Sequence, residues 1–540
     1  MLSLILFTPL AGALALLFVD RRREDIIRWI ANISAVASFL LALPLWFRFE
    51  PFGAPWQFVE RRAWIPSIGA SYFLGVDGVS TLLVLATTLV GAIAVASSWS
   101  SVTERLKEYY IFLLVLQTGL VGTFVSLDFL LFFVFWEVML VPMYFLIGIW
   151  GTGRPLHSAF KYLIYTLAGS AAMLLGILGL YFFNHSATGV YTFDITQFQQ
   201  LTIPFETQRW IFLALLLGFA VKIPIFPLHS WMADAYTDAP TAGSIVLAAI
   251  TLKMGTYGLI RFSLPILPDA TRHFVPLIAA LSIVGMLYAG LVALAERDWR
   301  RVFAFSSLSQ MSLMTLGVFA LTPVGITGSI VQQINHAISI VGLLLVAGLA
   351  FERRRTLDVS EYGGLSKVTP VLSAVFLVMV LSFIGLPALN GFVGQMLILQ
   401  GLYVAHKSWA AIAAGAMILG AASMLWLYQR TMLGPVDNPS NARLHDLTAR
   451  EIVPFVPLVA LAVWIGVYPE PFLRRVQSSV GRVVVRVDPA YGPAVAKAEA
   501  DCNKPAAPVA APGAPAGLIV DAPCTDGSTP ASKPAPPGGR

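Results

Sequence analysis

From residue 2 almost to residue 470, the chain returns again and again to apolar stretches long enough to cross a bilayer. About 14 can be counted, since a hydrocarbon core about 30 Å thick takes roughly 20 apolar residues of helix. They fall near 2–19, 26–47, 79–98, 109–126, 129–149, 160–183, 210–228, 241–264, 274–295, 302–320, 325–350, 370–400, 408–430 and 452–468. Backbone polar groups in lipid must be satisfied within the protein, which leaves helices and closed barrels as the spanning structures. The apolar period here is helical or continuous rather than alternating, which argues against a barrel. The expected fold is an all-α polytopic membrane protein. With 57% hydrophobic and 12% charged residues, the composition excludes a soluble globular protein and a disordered one. The first span is long and closely followed by others, so it is read as a retained helix and not a cleaved signal.

A net charge of +6 would suggest nucleic acid in a soluble protein, but here the basic residues sort by loop. If the N-terminus lies outside, the odd-numbered, cytoplasmic loops hold 18 Lys and Arg, including Arg21–Arg23, Arg105, Arg154, Arg297 and Arg353–Arg355. The even-numbered loops hold 7: Arg48, Arg61, Arg62, Arg209, Arg261, Arg272 and Lys407. The positive-inside rule then places both termini outside, and an even number of spans agrees with that. The basic excess is read as topology, with no nucleic-acid site. From about Asp488 the composition turns to Ala, Pro and Gly, which cannot bury a core and is expected to be disordered. The only cysteines, Cys502 and Cys524, lie in this tail, either as a disulfide or as two free thiols. No CxxC supports an iron–sulfur cluster or zinc.

Three ionisable residues stand inside the apolar spans. Insertion scales put a central Lys or Glu at roughly 2.5–3.5 kcal/mol unfavourable, so each asks for a reason. Glu137 lies nine residues into Asp128–Trp150, roughly 13 Å from its start at 1.5 Å per residue. Pro142 follows and frees the carbonyl of Val138. Lys222 precedes Pro224 and Pro227, and irregular backbone at membrane depth is tolerated only where protein or water satisfies it. Lys253 sits amid Ser244–Ile260 with Gly255 and Gly258 but no proline, so its helix is expected to be continuous. Burial favours the neutral amine and a neighbouring carboxylate favours the ammonium, a competition that suits a proton carrier. A Glu137–Lys222 pair that weakens would release a proton towards Lys253. The bland alternatives are a helix-capping or packing glutamate and a lysine snorkelling to the interface. His336, in Gln332-Gln-Ile-Asn-His-Ala-Ile, is a possible relay or a satisfied core histidine; His229 reads as structural. No phosphate-binding loop, strand-to-helix GxGxxG or metal-ligand spacing occurs, so no cofactor and no metal are expected in this chain.

These residues lie within motifs that resemble the antiporter-like chain M (subunit 4) of proton-pumping NADH–quinone oxidoreductase, respiratory complex I. The motifs are Gly75-Val-Asp-Gly-Val-Ser80, Trp136 through Trp150, Lys161 through Ser170, Lys222 through Thr241, Leu252-Lys-Met-Gly-Thr-Tyr-Gly258 and Glu361-Tyr-Gly-Gly-Leu365. The likeness spans roughly residues 1–475. It implies 14 transmembrane helices with two inverted five-helix repeats, over 109–265 and 273–430, in which the seventh and twelfth helices are broken. Helices over 1–108 precede the repeats, a last one over 450–475 follows, and the tail occupies 488–540. It also implies that Glu137, Lys222 and Lys253 are the family's glutamate and two lysines of the fifth, seventh and eighth helices.

Three positions depart from the family pattern. Gly-Phe-Val-Gly-Glu reads Gly391-Phe-Val-Gly-Gln395, Ser-His-Met reads Ser309-Gln310-Met311, and Leu-Pro-Asp-Ala-His reads Met232-Ala-Asp-Ala-Tyr236. Glu137 to Lys222 and Gln310 to Gln395 are both 85 residues, which fits equivalent positions in two repeats. Glutamine orients water but does not hold a proton. The C-terminal half is therefore expected to translocate poorly or by another route, while the N-terminal half keeps its pair. The implied function is a proton-translocating membrane-arm subunit of an NADH:quinone oxidoreductase, with the redox chemistry in partner subunits and chains L and N as neighbours in the bilayer. The alternatives are the related membrane subunit of a multisubunit Na⁺/H⁺ antiporter and a structural spacer. Chain L is set aside, because no long lateral helix with a further anchor follows the last span. The Ala/Pro-rich tail suggests a bacterial plasma membrane.

Overall fold

The computed structural model describes residues 1–502. Its main helices are α1 (Leu2–Leu17), α2 (Glu24–Arg48), α3 (Gly78–Ser97), α4 (Leu106–Val125), α5 (Phe129–Trp150), α6 (Pro155–Thr188), the two-part α7 (Phe205–Lys222, then Ser230–Asp238), α8 (Thr241–Ile266) and α9 (Pro268–Ala295). There follow α10 (Trp299–Val318), α11 (Pro323–Arg354), the two-part α12 (Pro370–Ile384, then Asn390–Ala405), α13 (Lys407–Met432), α14 (Ala449–Val467), α15 (Glu470–Val487) and α16 (Gly492–Cys502). Among the described residues, 10 helices are long and apolar enough to cross a membrane. The chain is an all-helical polytopic membrane protein apart from one hairpin.

Burial ranks the helices by position. The apolar window of α8 is 100% buried and that of α11 is 89%, against 28% for α2 and 22% for α14. So α8 and α11 form the central rods, while α2 and α14 turn most of their surface outward. Small residues permit the central contacts. A Cβ on Gly255 would stand 2.6 Å from the carbonyl oxygen of Phe219, and one on Gly258 would enter the Phe219 ring. These two glycines let α8 lie directly against the first half of α7, which carries Lys222. Gly258→Leu is expected to cost about 1–3 kcal/mol through overpacking, read as a lower melting temperature of the purified complex.

The breaks in α7 and α12 occur where proline and glycine interrupt the helical ladder. Both breaks close by the same device. Trp231 Nε1 donates back across the gap to the Val221 carbonyl at 3.0 Å, and Gln395 Nε2 donates to the Phe383 carbonyl at 3.1 Å. Each side chain supplies a donor to a carbonyl that the break leaves without its helical partner.

Four features differ from the sequence reading. Helix α8 is unbroken but contains two π turns, Leu247–Thr251 and Leu259–Ser263, on either side of Lys253. Gln57–Ile65 (β1) and Ala70–Val76 (β2), outside every expected span, pair as an antiparallel hairpin that runs into the Asp77 cap of α3. Helix α15 also lies outside the expected spans; it is amphipathic and packs its buried face on α3, α8 and α11. The tail, expected to be disordered from Asp488, continues as the turn Pro489–Tyr491 and α16. Ala494, Ala496 and Ala500 are strong helix formers, and Pro493 suits a first turn. The disulfide expected between Cys502 and Cys524 involves a residue outside the described ones.

The repeat equivalence drawn from equal spacing does not hold at these positions. Lys222 is the last residue before the break in α7, whereas Gln395 lies six residues beyond the break in α12. Counted from the Asp128 and Asp298 caps, Glu137 is nine residues into its helix and Gln310 is twelve. The shared 85-residue spacing is a coincidence of loop and helix lengths.

Candidate proton path

Three groups of polar side chains occupy the protein interior in chain order. The first is Glu137 and Lys222. Lys222 is 1% exposed, and its Nζ lies 5.4 Å from the ring centroids of both Trp136 and Tyr162. Tyr162, from α6, is also within the field of Glu137. Glu137 Oε1 and Lys222 Nζ are buried without a hydrogen-bond partner, and no ion pair within 4.0 Å joins them among the described residues. An ammonium over two aromatic faces gains cation–π attraction, though much less than a direct carboxylate contact would give. The arrangement leaves both groups able to take water as a partner.

The second group is Lys253 and His336. Lys253 is fully buried and its Nζ stands 2.7 Å from His336 Nδ1, while also donating to the Ala248 carbonyl at 2.7 Å. Ala248 belongs to the first π turn, and π turns recur at functional sites because they free backbone groups from the regular ladder. A lysine–imidazole contact of this length places a proton between two nitrogens that can both carry it. His336 Nε2, on the far side of the ring, is buried without a partner, and the ring lies 5.5 Å from that of Phe383. Of the two readings left open for His336, the structure supplies the geometry for a relay.

The third group is made of amides. Gln310 Oε1 accepts from Gln332 Nε2 at 3.3 Å and from Gln395 Nε2 at 3.4 Å. Asn335 donates to Gln332 Oε1 at 3.4 Å and to the Asn390 carbonyl at 2.7 Å, and Asn390 returns a bond to the Asn335 carbonyl at 3.2 Å. Gln310 and Gln395, distant in sequence, are thus brought together, even though they are not repeat mates of Glu137 and Lys222. Space around them is tight: a Cβ on Gly385 would meet Gln395 Oε1, and one on Gly394 would meet Gln332 Oε1. Nothing in this group titrates near neutral pH.

His229 is buried against Phe226 and Tyr288, as a packing residue would be. Tyr236, where the family pattern has histidine, places its hydroxyl 3.2 Å from Ser307. Two ionic arrangements had not been anticipated. Lys161 pairs with Asp234 at 2.6 Å, and Arg301 lies 3.8 Å from the other oxygen of Asp234. Arg261, counted above as a loop residue, is instead buried inside α8 and paired with Asp77. It belongs to a neutral pair and does not enter the charge asymmetry. Its position only three residues before the end of span 241–264 was the available signal.

Residues 126–420 match the family described as NADH:quinone oxidoreductase/Mrp antiporter, TM. The chain belongs to this family. Within the family, it is 39% identical over 496 residues to NADH-quinone oxidoreductase subunit M of Rhodobacter capsulatus, covering 90% of this chain and 96% of that one. A chain of respiratory complex I from Thermus thermophilus aligns with a TM-score of 0.82 at 28% identity, over 90% of this chain and 100% of that one. A chain of the Mrp complex from Dietzia sp. DQ12-45-1b gives 0.77 at 21% identity, over 92% and 99%, and shares the fold. The homologues of this family member are thus complex I subunit M and related antiporter-like membrane subunits. It is an antiporter-like polytopic subunit of the kind that assembles with others in a respiratory membrane complex.

Proposed function

We propose that this chain translocates protons in the membrane arm of an NADH–quinone oxidoreductase, through Glu137, Lys222, Lys253 and His336 in that order. The observation that carries the proposal is the 2.7 Å contact between Lys253 Nζ and His336 Nδ1 in a fully buried position. A proton held on Lys222 by the field of Glu137 moves on when that hold weakens, and the tight packing of α7 against α8 sets a short route to Lys253. Lys253 hands the proton to His336 Nδ1, and the unpartnered Nε2 is the exit atom of the ring. The energy comes from quinone reduction in partner subunits, with chains L and N as membrane neighbours. The 14 spans, both termini outside and a bacterial plasma membrane complete the assignment.

The C-terminal side of this path is impaired. Past His336 the polar chain continues through Asn335, Gln332, Gln310 and Gln395, which orient water but do not store a proton. That feature also favours the reading of the chain as a partial spacer, one that passes fewer protons than the family's pattern allows. Lys222→Met in the intact complex tests the N-terminal entry. Proton uptake per electron pair is expected to fall while quinone reduction continues, and an unchanged ratio removes Lys222 from the path. Substituting Na⁺-free buffers is expected to leave translocation intact; loss of it would assign sodium instead.

A further inference from the structure

The motif Gly75-Val-Asp-Gly-Val-Ser80 lies outside the proposed path, yet the structure ties it to the helix that carries Lys253. Asp77 caps α3, accepting from Ser80 N at 3.0 Å, and also receives Arg261 through two bonds, Nη1 at 3.0 Å and Nη2 at 2.6 Å. Arg261 Nη2 reaches Ser80 Oγ at 2.8 Å, and the guanidinium lies 4.5 Å from the Trp56 ring. Arg261 Nε donates to Tyr257 Oη at 3.1 Å, and Tyr257 donates to the Phe124 carbonyl of α4 at 3.1 Å. Asp77, Arg261 and Tyr257 are all buried. Gly78 completes the junction, because a Cβ there would collide with the Arg475 carbonyl of α15, whose Ser479 Oγ accepts from Gly78 N at 3.1 Å.

Arg261 lies within the second π turn, Leu259–Ser263, and Tyr257 is four residues beyond Lys253 on the same face. A π turn holds one residue more than an α turn. Reverting it to α geometry would rotate Arg261 relative to Lys253 by about 100°. Buried ion pairs contribute little net stability compared with apolar packing, and their best-attested use is to specify register. We propose that Asp77 and Arg261 are positioning residues that, through Tyr257, hold the π-distorted register of α8 in which Lys253 meets His336. The hairpin β1–β2, α15 and the α3 cap form the frame to which that register is fixed. This inference rests on the reading of Lys253 as a proton carrier.

The test measures protons translocated per electron pair, beside quinone reduction, in the intact complex reconstituted in vesicles. Tyr257→Phe removes one oxygen from the linkage and Asp77→Asn removes the charge. Both are expected to lower the ratio to that of a Lys253→Met complex, and Asp77→Glu is expected to recover most of it. A wild-type ratio in Tyr257→Phe overturns the proposal, as does failure of Asp77→Asn to assemble when Tyr257→Phe pumps normally, because the pair would then be merely structural. A wild-type ratio in Lys253→Met removes the relay reading itself. A low ratio in Lys253→Met with a normal one in Tyr257→Phe removes the positioning role alone.

Discussion

Replacement of Lys253 by methionine is expected to stop proton transfer through this chain while the complex still assembles and reduces quinone. Methionine nearly matches the lysine stem in volume and fills irregular apolar space readily, so the buried site tolerates it. Its thioether takes no proton, and the only nitrogen facing His336 Nδ1 at 2.7 Å is lost. A positioned acid–base group contributes about 10²–10⁴-fold to a proton-transfer rate, which is the loss expected for this path. Leaving His336 Nδ1 unpaired costs about 1–3 kcal/mol of stability, partly offset because an unpaired buried ammonium is no longer carried. The measurement is the number of protons pumped per electron pair by reconstituted complex at equal quinone-reduction rates. An unchanged number rules Lys253 out as a carrier.

The second large effect runs in the opposite direction. Gln395→Glu combined with Gln310→His is expected to raise the protons pumped per electron pair. The two side chains already touch at 3.4 Å, and each substitution is close to isosteric, so the pair enters a space that the amides now fill. The carboxylate supplies a site that can store a proton beyond His336, and the new histidine balances its charge. The single variant Gln395→Glu places an unpaired carboxylate in a site 2% exposed and is expected to destabilise the complex. The double variant should recover stability, giving a coupling of about 0.5–3 kcal/mol in a double-mutant cycle. If neither the pumping ratio nor the coupling changes, the amides are not what limits the C-terminal half.

Much of the path was legible from the chain because charge in lipid is conspicuous. Glu137, Lys222 and Lys253 stand out in apolar runs, and Pro224 and Pro227 announce the break beside Lys222. His336 was left with two meanings, since a histidine next to polar neighbours looks the same whether it relays or packs. Its contact with Lys253 crosses 83 residues of sequence, and no local pattern encodes such a pairing. The π turns escaped for a related reason. Their residues, Leu247–Thr251 and Leu259–Ser263, carry no proline and no special backbone requirement, so the distortion comes from the surroundings and not from propensity. Arg261 was misplaced because hydropathy near the end of a span does not distinguish a charge at the interface from one drawn inside by a distant carboxylate. The equal 85-residue spacings misled because helices and loops of different lengths can add to the same total.

The chain's own residues determine that it spans the membrane as helices, where two of those helices must break, and which side chains can carry a proton. These follow from local physics: the cost of bare backbone in lipid, the missing amide of proline and the rarity of buried charge. The tertiary fold alone decides that α8 is the buried centre, that Lys253 faces His336, that Asp77 holds Arg261 and that the amides of Gln310 and Gln395 meet. Those contacts depend on which glycines let two helices approach and on the register of a π-distorted rod. Both are properties of packed surfaces, which no single helix carries in its own sequence.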